Sequence, residues 1–64
     1  MVTPDAQAKH ARESLLMGIN HGWDDARCRE YAAECLRGQG VPIAEARGVV
    51  QRVWDERFRN WSGA

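Results

Sequence analysis

Apolar residues recur along this chain at intervals of three and four, and no stretch alternates as a strand would, so the pattern predicts helices throughout. The first stripe is Ala8, Ala11, Leu15 and Ile19, flanked by Leu16, with Lys9, Arg12 and Glu13 on the polar side. Thr3 is placed to cap it, Pro4 suits a first helical position, and Asp5 faces the positive helix end. The stripe fades at Ile19, and Asn20-His21-Gly22 supplies residues that tolerate a left-handed turn, which bounds helix one to about 4–19.

Trp23-Asp24-Asp25 opens a second helix, about 23–37, with two carboxylates in its first turn and Arg37 in its last. Its stripe is Ala26 or Cys28, then Tyr31, Ala32, Cys35 and Leu36. Arg29, Glu30, Ala33 and Glu34 fall on the opposite, solvated face. Gly38-Gln39-Gly40 closes this helix, and Pro42 begins a third over about 42–60. There Ile43, Ala46, Val50, Val53, Trp54, Arg57 and Trp61 share one side, while Arg52 with Glu56 and Asp55 with Arg59 form i, i+4 charge pairs on the outside. Gly48 lowers the propensity of that helix, and it either marks close approach of a neighbour or is tolerated drift with no packing role. The fold expected is all-α, a small three-helix bundle, with residues 1–64 as one domain.

A chain of 64 residues makes a thin core, and natural domains of this size commonly add a disulfide, a metal or a partner subunit. The cysteines do not supply the first two. Cys28 and Cys35 are separated by about 10 Å in a helix, beyond the roughly 7 Å that a disulfide can span. Together with His10 and His21 they also lack the close pairing of zinc ligands, so neither a metal nor another cofactor is expected. A second copy of the chain remains as the natural aid, and a homodimer is the expectation.

Nine basic residues balance nine acidic ones, and 44% of the chain is hydrophobic. The charges are mixed along its length, which leaves no basic arm for nucleic acid or an acidic membrane. No apolar run reaches a membrane span, the N-terminus lacks the pattern of a signal peptide, and two cysteines are too few for a secreted scaffold, so the expected location is the cytoplasm.

No nucleophile with its base, no converging carboxylates and no phosphate loop can be assembled from this sequence. Asp24-Asp25 and Asp55-Glu56 are neighbours pointing about 100° apart, and Gly38-Gln39-Gly40 lacks the strand and lysine of a phosphate loop. The sequence therefore suggests binding and not catalysis. Helix two, a glycine-containing turn and helix three do follow the order of a helix-turn-helix DNA reader. The third helix, however, carries Glu45, Asp55 and Glu56 beside Arg47, Gln51 and Arg52, so phosphate attraction and repulsion nearly cancel.

The aromatic residues carry the functional signal. Phe58 sits at the edge of the third stripe beside Val49, Arg52 and Arg59, where it either caps the bundle end against helix one or is left poorly covered, and aromatic side chains mixed with arginine typify binding hot spots. The expected partner-binding surface is Arg52, Asp55, Phe58, Arg59 and Trp61, with Trp23. A compact, neutral chain of this kind belongs to the size class of inhibitors and adaptors encoded by phages and other mobile elements, anti-CRISPR and host-takeover proteins among them. A small DNA-binding regulator is the alternative.

Overall fold

The computed structural model describes residues 3–58 and is all-helical in that range: α1 Pro4–Asn20, α2 Asp25–Gly38 and α3 Ile43–Val53, with α3 running directly into a π-helical turn, Trp54–Phe58. The three expected helices are therefore present, packed around one core.

Each boundary has a local cause. Thr3 Oγ1 accepts a hydrogen bond from the Ala6 amide at 3.1 Å, and Pro4 occupies the first turn of α1. At the other end Gly22, with φ +78°, reverses the chain while Trp23 N donates to Gly18 O and Gly22 N to Ile19 O. This pair of bonds is a Schellman cap. The same device ends α2: Gly40 has φ +98°, Val41 N donates to Leu36 O and Gly40 N to Arg37 O. Asp24 is the N-cap of α2, accepting from Arg27 N at 2.8 Å, so Trp23 stands just outside the helix instead of inside its first turn. Pro42 likewise precedes α3.

The buried side chains are Ala11 and Leu15 from α1, Cys28, Ala32, Ala33 and Leu36 from α2, Val41 from the connection, Ala46, Val49, Val50 and Val53 from α3, and Trp54 and Phe58 from the π turn. Alanines and valines dominate, so the helices approach closely. The close contact is made at Gly18 and not at Gly48. A Cβ on Gly18 would fall 2.6 Å from Cys28 Sγ, whereas one on Gly48 would meet nothing within 4 Å.

Two further expectations change. Ala33, expected on the solvated face, is buried, because α2 is covered by α1 on one flank and by α3 on the other. Leu16, expected to flank the buried stripe, is exposed by 44%, and Met17 beside it by 47%. The end of α3 lies beside Asp5, Ala8, Lys9 and Arg12, against the N-terminal half of α1, and does not reach Leu16.

The end of α3 carries the largest departure. Phe58, assigned to the partner-binding edge with capping of the bundle end as the alternative, is buried, and Arg57, expected on the stripe, faces solvent. In an α-helix a residue four places on overshoots a full turn by about 40°. The wider π turn removes most of that overshoot and sets Phe58 under Trp54, with ring centroids 5.6 Å apart and 28° between the planes. The same widening leaves Arg52 and Glu56 without the expected ion pair.

Candidate protein-docking face

The corner between α1 and α2 gathers side chains that the sequence keeps apart. The Schellman cap of α1 and the Asp24 cap of α2 together fix Trp23 between them. Cys28, four residues past the cap, donates its thiol hydrogen to Trp23 O at 3.6 Å, in the positions of a hydrophobic staple. Burial, with Asp24 and Asp25 adding to it, pushes the Cys28 thiol above its ordinary range, so it stays protonated.

The Trp23 ring, half-buried, is bounded by three side chains. His21 stacks on it with centroids 5.2 Å apart, Tyr31 meets it edge-on at 5.2 Å, and the Arg27 guanidinium lies 4.3 Å from its centroid. Arg27 and Tyr31 are one turn apart on α2, which is why both reach the same ring. Tyr31 Oη in turn donates to Met17 Sδ at 3.2 Å, across to α1. A hydrogen bond with Cys35, its charge and partial burial raise the Tyr31 phenol above its usual value. Arg27 forms no ion pair among the described residues, so its charge is held over an aromatic ring with its outer edge open.

A second cluster joins α2 to α3 through polar side chains laid against the Trp54 ring. Arg29 donates to Gln51 Oε1 at 3.0 Å, approaches Asp25 at 3.7 Å and lies 5.6 Å from the Trp54 ring. Gln51 passes its own donor to Asp55 at 3.1 Å, and Arg47 pairs with Glu30 at 3.3 Å. Here each cation already has its acceptor.

The expected surface is thus divided. Phe58 is core, and this corrects its placement in a partner-binding edge. Asp55 belongs to the α2–α3 network, Arg52 is exposed, and Trp23 belongs to the α1–α2 corner. Arg59 and Trp61 lie outside the described residues. Met17, His21, Arg27 and Tyr31 were not singled out from the sequence as a surface. The available signal was the i, i+4 spacing of Arg27 and Tyr31 after an aromatic at a helix entry.

Among the described residues no group of three His, Cys, Asp or Glu could hold a metal ion, both cysteines are free, and no helix is long and apolar enough to cross a membrane. Comparison with protein families, curated proteins and solved structures gave no match to this chain.

Proposed function

We propose that this chain is a small non-catalytic interaction module that docks on a larger protein through the α1–α2 corner. The observation that carries the reading is Arg27 held over the half-buried Trp23, within a run of contacts that reaches the exposed Met17. Trp, Tyr, Arg and Met are the residue types enriched in interface cores, and Trp, Tyr and Arg dominate hot spots. Because these side chains order one another before any partner arrives, less rotamer entropy remains to be lost on binding. Arg27 would meet a carboxylate on the partner, and Trp23, Tyr31 and Met17 would meet an apolar side chain.

The same physics suits an inhibitor or adaptor of the phage or mobile-element kind, acting in the cytoplasm by occupying a surface. It also suits a second copy of the chain as one occupant of the face. DNA is the less favoured partner, since Arg29 and Arg47 on the α2–α3 side are already bound to protein acceptors and Glu45, Asp55 and Glu56 are exposed on or beyond α3.

The test uses immobilised chain against an extract of its native host, with Arg27→Glu as the matched control. A protein retained by the wild type and lost by the variant supports this face, and one retained equally by both rules it out. Sedimentation of the purified chain over a range of concentrations reports self-association in the same two proteins.

A further inference from the structure

The contact between Tyr31 and Met17 has a chemical consequence that does not depend on the docking reading. Met17 is exposed by 47%, so its sulfur is open to small oxidants. A thioether sulfur carries two lone pairs, and the Tyr31 hydroxyl donates to one of them at 3.2 Å. We propose that Met17 is a reversible modification site, oxidised by a peroxide to a sulfoxide of predominantly one configuration, which one stereospecific class of methionine sulfoxide reductase would reverse.

The lone pair left free by Tyr31 attacks one peroxide oxygen. The O–O bond breaks, the two sulfur electrons form the S–O bond, and the departing hydroxide takes up the proton released from the oxygen now bound to sulfur and leaves as water. Sulfur is oxidised by two electrons and the peroxide is reduced by two. The configuration of the new sulfur centre follows from which lone pair reacted, and the fold selects it by keeping the other one hydrogen-bonded. The phenol keeps its proton throughout, since Cys35 and partial burial hold it more tightly than usual, and the 3.2 Å approach sets that proton on Met17 Sδ. The product is polar where a flexible apolar group stood, beside Tyr31 and Trp23. Cys28 does not compete, because it is buried and protonated.

The experiment treats the folded chain with dilute hydrogen peroxide and isolates the tryptic peptide Glu13–Arg27, which contains Met17 and Cys28 lies outside it. Aliquots are then treated, with dithiothreitol as the reductant, with each of the two reductases of opposite stereospecificity. The expected result is an excess of one epimer of roughly twofold, the selectivity that a hydrogen bond at the weak end of the ordinary range supplies. Chain oxidised in concentrated urea and Tyr31→Phe oxidised while folded should both give near-equal epimers. Equal epimers from the folded wild type, the same excess in the urea-treated chain, or oxygen added to Cys35 in place of Met17 would each overturn the proposal.

Discussion

Gly18 and Cys28 meet where α1 packs on α2, so closely that a methyl group on Gly18 would sit 2.6 Å from Cys28 Sγ and 3.1 Å from the Trp23 ring. Neither neighbour can withdraw, because Cys28 is buried and Trp23 is fixed by two helix caps. Gly18→Ala gains up to about 1 kcal/mol of helix propensity and incurs about 1–3 kcal/mol of overpacking. We expect a net loss of about 1–2 kcal/mol in urea unfolding, partly restored by Cys28→Ala, which removes the sulfur. Gly48→Ala, facing open space in the middle of α3, should stabilise by about 0.5–1 kcal/mol. A Gly18→Ala variant as stable as the wild type would contradict this packing.

The contrast between these glycines shows what the sequence could reveal. A glycine within a helical stripe signals close approach only if another backbone or side chain is there, and that depends on where the helices meet in space. Gly48 lay in the clearer pattern and Gly18 at a helix end, yet the neighbour is at Gly18. The helices themselves were legible because caps and stripes are local: Thr3, Gly22, Asp24 and Gly40 each act within a few residues. The corner was less legible because Met17 meets Tyr31 across 14 residues of chain. The π turn was not legible at all, since counting at 3.6 residues per turn puts Arg57 where Phe58 lies.

Phe58 should behave as a core residue. Phe→Ala in a core costs about 3–5 kcal/mol, comparable with the whole stability a domain of this size commonly has. Phe58→Ala should therefore lose its cooperative thermal transition in circular dichroism, whereas Phe58→Leu should keep it at a lower midpoint. A Phe58→Ala variant that melts like the wild type would show that the stack on Trp54 is not part of the folded core.

Alkaline pH should weaken the fold through Cys28. Burial and the two aspartates raise its thiol above the ordinary value of 9.0, so the folded chain retains a proton that the unfolded chain releases. The unfolded state then binds fewer protons, and stability falls as pH rises past about 9. Tyr31 adds a second loss in the same direction above about pH 10. Urea midpoints measured between pH 7 and 10 should decline for the wild type, and the decline near pH 9 should shrink in Cys28→Ala. An equal decline in both proteins would remove Cys28 as its source.

The docking face depends on Arg27 being ordered by the Trp23 ring before a partner arrives, and a double-mutant cycle measures that order directly. Arg27→Met keeps the aliphatic stem and removes the charge, so its effect isolates the guanidinium. Trp23→Leu removes the ring while leaving an apolar side chain against Gly18 and Cys28. A cation 4.3 Å from a half-buried indole should couple to it by about 0.5–1 kcal/mol in unfolding free energy. The coupling should survive added salt better than a surface ion pair would, because Arg27 has no ionic partner among the described residues to be screened from. A coupling near zero would mean that Arg27 moves freely over the surface, and the face would then lose the preordering that recommends it as a binding site.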